Sequence, residues 1–428
     1  MADRIEKLEA QLDSFELAQR KNALDELWAL AQAGGVGLAP ASQAVNLHAH
    51  TFFSYNAYGY SPSKFAWLAR RRGLAVAGIV DFDVLDGLEE FWAAGKLIGL
   101  KRCASLESRT FLPEFSTRVV NSPGEPGIVY HMGVGLPRAV QHPLLRQMRR
   151  AAENRNREIV RRLNAFLQPV ELDYDRDVLP LTPAGNATER HLCDAYSRKG
   201  PASFWREKLG DCPADPVKLR ALLRSKMMKQ GGPGYVAPDK GSFPLMADMN
   251  RFVLESGGIP TLTWLDGASE GERSIHELFD VAASTGAAAL GIIPDRNYTP
   301  GVKDEKLKNL HEVIEMAGKR GFPVMIGTEM NAPGNKFLDS FETAELKPLA
   351  PVFLKGAHVL YAHSVLQRQS GLGYLSAWSR RSFSSVAAKN EFFEKLGRAL
   401  SPATEDRLAG LPPDVTPDRI LAALDPAP

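Results

Sequence analysis

Asn46-Leu47-His48-Ala49-His50-Thr51 reads as a strand that ends in two histidines on one side. Residues i and i+2 of a strand point to the same face, so the imidazoles of His48 and His50 stand together at its end, where they can chelate. A His-x-His pair also arises by chance, the alternative being two ordinary core or surface histidines. The neighbouring sequence has to decide between them.

Outward from that pair, Ser61-Pro62 opens a helical run to Gly73, and the apolar strand Leu74 to Val80 ends in Asp81-Phe82-Asp83. Another short strand, Cys103-Ala104-Ser105-Leu106, ends in Glu107. Each polar cluster sits where an apolar strand stops. A parallel barrel produces this pattern, because its functional residues collect at the carboxyl ends of its strands. Alternation of helix and strand resumes from Ala247 to Ile326, with polar ends at Trp264-Leu265-Asp266, Pro294-Asp295-Arg296-Asn297 and Gly327-Thr328-Glu329-Met330-Asn331. Together these runs predict an α/β fold: a distorted parallel (β/α)7 TIM-like barrel of about seven strands, with a helical insertion.

Domain limits follow from changes in pattern. Residues 1–35 carry apolar positions at helical spacing and stop at Gly34-Gly35, which predicts an amphipathic helix or helical pair. The barrel occupies 44–345, interrupted at about 137–245 by a segment rich in Pro, Gly and charge that reads as an insertion beside the barrel mouth. Within it, Pro143 to Leu167 predicts a long helix on which Arg146, Arg150, Arg157 and Arg161 share a face that could meet phosphates. Residues 346–428 form a mixed extension, with Lys355 to Ala362 read as a last strand and Val386 to Leu400 as a helix.

Composition narrows the function. The 428 residues are 44% hydrophobic and 24% charged, ordinary values for a globular protein with a large core. A formal charge of +2 gives no strong nucleic-acid signal and no case for membrane attraction. Cys103, Cys193 and Cys212 lie far apart without Cys-x-x-Cys spacing, so neither a disulfide framework nor a thiolate zinc site is expected. No basic-then-apolar leader is visible, and no run reaches the roughly 18 apolar residues of a membrane span. A cytoplasmic location is expected.

The order His-x-His-Thr, a Ser-Pro helix start, Ala69-Arg70-Arg71-Arg72-Gly73-Leu74, a strand closing on Asp-x-Asp and a later one closing on Glu resembles the polymerase and histidinol phosphatase (PHP) superfamily. Val129-Tyr130-His131-Met132-Gly133 looks like that family's next histidine strand. Asn186 to Leu192, Gly231 to Val236 and Gly257-Gly258-Ile259-Pro260 resemble one branch, the phosphoesterases acting on nucleoside 3',5'-bisphosphates and on the 5' ends of short RNA. The resemblance runs from about Ala44 to Pro333.

The resemblance implies a PHP fold and a site of divalent metal ions, Mn, Zn or Mg. His48, His50, Glu107 and Glu329 would hold a first ion, and Glu107 with His131 a second. Several positions depart from the family's pattern. Tyr55 stands where it has Asp, Phe82 and Asn331 where it has His, and Trp264 where it has the His of Ala-His-Pro. The losses fall on the third ion and on part of the second, so one or two ions are expected.

Two readings follow. In one, the chain is a metal-dependent hydrolase acting on a small phosphorylated substrate, possibly a nucleotide, with a metal-bound water as nucleophile and Asp81, Asp266 or Asp295 as proton acceptor. In the other it is a degraded relative that binds a phosphorylated ligand or partner without turnover. Having His48 and His50 together favours the first. Arg296 is the candidate for a substrate phosphate, His191 is a second candidate that otherwise positions a helix, and His358 and His363 flank a strand-like run from which they could reach the site.

Overall fold

Seven strands carry the centre of the molecule: β1 Val45–Ala49, β2 Val76–Phe82, β3 Arg102–Phe111, β4 Ile128–Val134, β5 Ile259–Trp264, β6 Ala289–Ile292 and β7 Val324–Ile326. They hydrogen-bond in chain order into one sheet. The structure is a computed structural model and describes residues 1–238, 241–298 and 304–424. β7 curls back onto β1, where His50 N–H donates to Glu329 O (2.9 Å) and Asn46 Nδ2 donates to Thr328 Oγ1 (2.9 Å). The sheet is therefore a nearly closed, TIM-like barrel with helices outside it.

One strand departs from the expected parallel order. β4 is antiparallel to both β3 and β5, while the other neighbouring pairs are parallel. The connection from β3 to β4 holds a single 3-10 turn, Pro113–Phe115, and reverses through Gly124 and Gly127 at φ 74°. A parallel return needs a crossover, usually a helix, and none is present there.

Helix starts follow local chemistry. Ser61 accepts from Lys64 N at the head of Pro62–Arg71, and Pro62 takes the first turn, where a missing N–H is harmless. The N-terminal segment is a pair, Ala2–Gln11 and Leu17–Gln32, seated on the barrel by Trp67 Nε1 donating to Glu9 (2.7 Å) and by the buried Arg20–Glu90 pair. The predicted strand Lys355 to Ala362 is instead part of the helix Ala350–Ser370. Its residues 356–366 are buried on every side, and periodicity cannot separate such a run from a buried strand. Arg102 at the amino end of β3 donates to both oxygens of Glu405 (2.7 and 2.9 Å), which also accepts from Tyr361 Oη (2.6 Å).

Apolar burial separates barrel from insertion, with a small third cluster of Phe52, Phe53 and Val84. Both termini share one continuous cluster with the barrel, from Leu8 to Ile420. The insertion has its own cluster, including Ile159, Leu163, Val178, Leu192, Trp205 and Met228, built from the helices Pro143–Phe166, Glu189–Lys199, Ala202–Leu209 and Pro216–Leu223. Among the described residues no helix is long and apolar enough to cross a membrane.

Candidate metal centre and adjoining cavity

At the carboxyl end of β1, His48 and His50 are 1% and 0% exposed. Phe82 and Glu107 are register partners on β2 and β3, so they share the inward face, and the Phe82 ring stacks on His50 at 4.7 Å. Glu329 follows β7. One donor atom from each of His48, His50, Glu107 and Glu329 lies within 4.8 Å of the other three.

The hydrogen bonding favours a cation there. Ser54 Oγ gives its proton to Asp81 Oδ1 (2.6 Å), so His50 Nδ1, 3.3 Å from that hydroxyl, is the donor of its contact. The Nε2 lone pair of His50 then points at the cluster. Nε2 sits 3.1 Å from Glu107 Oε2 without hydrogen-bond alignment, and His48 Nδ1 has no partner either. His48 Nε2 contacts Glu107 Oε2 at 3.4 Å, and two imidazoles and two carboxylates so gathered form a donor set suited to Zn²⁺ or Mn²⁺. Burial alone would push the Glu107 carboxyl up, but the bond from His48 and the imidazoles beside it hold it down to about 2. It stays an anionic ligand across the physiological range.

Asp81 lies beneath the centre. Its oxygens accept from Thr51 N (2.8 Å), Thr51 Oγ1 (2.7 Å) and Ser54 Oγ (2.6 Å), which fixes the loop after β1 and, through Ser54, the His50 ring. A carboxylate so engaged is a positioning residue rather than the proton acceptor the sequence suggested. Asp266 is also turned away, accepting from Lys306 Nζ (2.7 Å) and Ala268 N (3.0 Å). The side chain of Asp295 lies outside the described residues.

His131 requires a correction. Because β4 runs antiparallel, Met132 pairs with the inward Glu107, and His131 takes the outer face beside Ser108. There its Nε2 meets Asn250 Oδ1 (2.6 Å), and burial pushes its pKa down to about 4. Glu107 and His131 therefore do not share an ion. Trp264 falls on the outer face too, paired with Ile292 and 1% exposed.

Arg296 does reach the centre, its Nη2 lying 3.1 Å from Glu329 Oε2 with the side chain about half exposed. His191 is engaged by its own helix. Its Nδ1 accepts from Thr188 N (3.0 Å) in a capping box at the head of Glu189–Lys199. His358 and His363 are buried in the helix Ala350–Ser370; His363 Nδ1 accepts from Tyr374 N (3.0 Å).

Above the centre, between barrel mouth and insertion, is a cavity of about 480 Å³. Tyr55, Phe82, Tyr130 and Asn331 form its wall on the barrel side, so three of the positions that depart from the family's pattern line a cavity instead of holding a further ion. The arginine of Pro143–Phe166 that faces it is Arg155. Arg157 and Arg161, from the face predicted to meet phosphates, pair instead with Glu153, Asp175 and Glu158. The sequence assigns no role to Tyr130, Arg109, Arg155 or Asp83, although Asp83 closes the Asp-x-Asp strand end and Arg109 stands two beyond Glu107 on the same strand. Asp83 is partly buried and lines the cavity, and desolvation pushes it up to about 6. Asp83 (φ 59°) and Met330 (φ 54°) are the left-handed non-glycine residues among those described, and both lie at strand ends beside the centre. Backbone strain of this kind collects at functional sites.

No known family profile matches the chain, and no curated protein is similar to it. Among solved structures, an amidohydrolase from Chromobacterium violaceum, determined with bound sulfate and no metal, superposes with a TM-score of 0.51 at 18% identity, over 72% of this chain and 96% of its own. A protein from Bifidobacterium adolescentis assigned as a metal-dependent phosphoesterase superposes with a TM-score of 0.50 at 18% identity, over 73% of this chain and 98% of its own. At such identity the likeness establishes a shared fold. The class so defined is the TIM-like barrel whose structural neighbours bear hydrolase names, here with a four-residue His/Glu cluster that could hold a metal ion.

Proposed function

We propose that the protein is a metal-dependent hydrolase of a small phosphate ester, with one divalent ion held by His48, His50, Glu107 and Glu329. The observation that carries this is the convergence of one donor atom from each of those four side chains within 4.8 Å, with His50 Nε2 left unpartnered. A structural neighbour assigned as a metal-dependent phosphoesterase supports the phosphate-ester reading, and the resemblance to nucleoside bisphosphate phosphoesterases favours a nucleotide as substrate.

When bound, a divalent ion would polarise a phosphoryl oxygen and activate water. The chain supplies the rest. Arg296 sits beside Glu329 with about half its side chain exposed, which suits a guanidinium that grips the reacting phosphate. Asp83, raised to about 6 and facing the cavity, takes the proton-accepting role that Asp81 and Asp266 cannot fill.

The test is a screen of phosphomonoesters and phosphodiesters with added Mn²⁺, Zn²⁺ or Mg²⁺. Turnover is expected, and Asp83→Asn is expected to lower kcat about 10²-fold or more, with metal content unchanged. If no ester is turned over while a phosphorylated ligand still binds, the protein is a binding relative and the hydrolase reading fails.

A further inference from the structure

The cavity above the metal centre carries more positive charge than its own carboxylates balance. Arg109, Arg155, Arg190, Arg224 and Lys229 line it, together with Asp83, Glu158 and Glu189. Glu158 is committed outward to Arg161 and Arg162, and Arg109 is paired with Glu125 at 2.9 Å. Three of the remaining cations surround Glu189. Lys229 Nζ lies 2.7 Å from Glu189 Oε2, Arg224 Nε 3.2 Å from the same atom, and Arg155 Nη2 3.6 Å from Oε1. Arg190, the fourth, reaches Asn331 Oδ1 at 3.3 Å.

Only the lysine contact has the length of a tight charge-assisted bond, about 2.7–2.9 Å. A purely structural tie would close on Glu189 with all its donors. Instead Arg155 stands 3.6 Å off and Arg190 bonds Asn331, while all of them line the cavity of about 480 Å³. Burial and neighbouring guanidiniums both weaken the basicity of Arg155 and Arg190, so the cluster is short of negative charge. Arginines gathered about a hollow suit a group that offers several oxygens at once, which a single carboxylate does not.

We infer that this cage is an anion-binding subsite for a dianionic group of phosphate type, and that Glu189 holds its place when no ligand is bound. Ligand entry exchanges one anion for the other. Lys229 and Arg224 turn from Glu189 to the ligand, and the cage joins the helices Pro143–Phe166 and Glu189–Lys199 around it. Because the subsite is built without His48, His50, Glu107 or Glu329, it does not depend on the hydrolase reading.

The test uses the full chain, with inorganic phosphate as probe, as purified and again with chelator present. Calorimetric titration is expected to show phosphate binding that survives chelation. Glu189→Gln, which removes the competing charge, should tighten it about tenfold, and Arg224→Gln should weaken it about as much. Arg190→Gln, in contact with neither Glu189 oxygen, should also weaken it and serves if the Glu189 variant does not fold. Absence of phosphate binding in wild type and variants overturns the inference. So does a loss of thermal stability in Glu189→Gln or Arg224→Gln with phosphate affinity unchanged, since the cage would then be structural only.

Discussion

Both oxygens of Asp81 are engaged by the loop that follows β1, and the bond from Ser54 hands that order on to the His50 ring. Asp81→Asn keeps the shape but turns an amide N–H toward donors. We expect the variant to lose about 1–3 kcal/mol of stability, as for other buried groups left unsatisfied, and about 10–100-fold in metal affinity, as for other residues that orient a ligand. Urea denaturation and a metal titration of the same preparations measure the two effects. Unchanged metal affinity would show that His50 is held by packing against Phe82 alone. Residues of this kind are half legible in sequence: the Asp-x-Asp strand end announces a polar site, but which aspartate orients and which faces the cavity depends on the left-handed turn at Asp83.

At the scale of elements, the reversal of β4 changes the role of His131 more than any substitution does. An antiparallel strand in this register puts Tyr130 and Met132 inward, and the histidine falls against Asn250 on the helix Met246–Glu255. Its pKa is depressed to about 4 by burial, so the unfolded chain takes up its proton near 6.5 and the folded chain does not. The stability that neutral His131 contributes is present above that pH and is lost as pH falls toward 4. The stability gap between wild type and His131→Gln should therefore narrow between pH 7.5 and pH 5, by as much as about 2 kcal/mol, while metal content stays the same. A fall in bound metal would return His131 to the centre.

Most of the element order was legible because apolar runs and polar strand ends alternate so regularly. Between β3 and β4, Ser122 to Gly127 reads as a turn joining two strand-like stretches, as it proves to be, but the antiparallel direction of β4 was not legible from it. Nor was the helix over 350–370, since burial on all faces erases the periodicity that would mark it. The cation cage escaped for another reason. Arg109, Arg155, Arg190 and Arg224 come from four separate segments that meet only when the insertion covers the barrel mouth.

Across the whole molecule, the chain ends are tied to the barrel by buried ion pairs, Arg20 with Glu90 and Arg102 with Glu405. Replacing Glu405 by Ala leaves Arg102 buried without its carboxylate and Tyr361 without its acceptor. A loss of about 3–5 kcal/mol is expected, as when other buried pairs are broken, read as a shift in the denaturation midpoint with metal content unaltered. The functional end of the barrel is opposite in character: donors there are left unpaired so that something else can complete them.

That difference can be measured by elemental analysis of the purified chain after mild dialysis. His48, His50, Glu107 and Glu329 supply four donors to one ion, whereas Tyr55, Phe82 and Asn331 offer almost none to another, and His131 is turned away. One tightly held divalent ion per chain, at most one more held weakly, and loss of the tight one in His48→Ala are the results expected. Three equivalents per chain would contradict this assignment, as would none at all in a protein whose stability does not change when Mn²⁺ or Zn²⁺ is added.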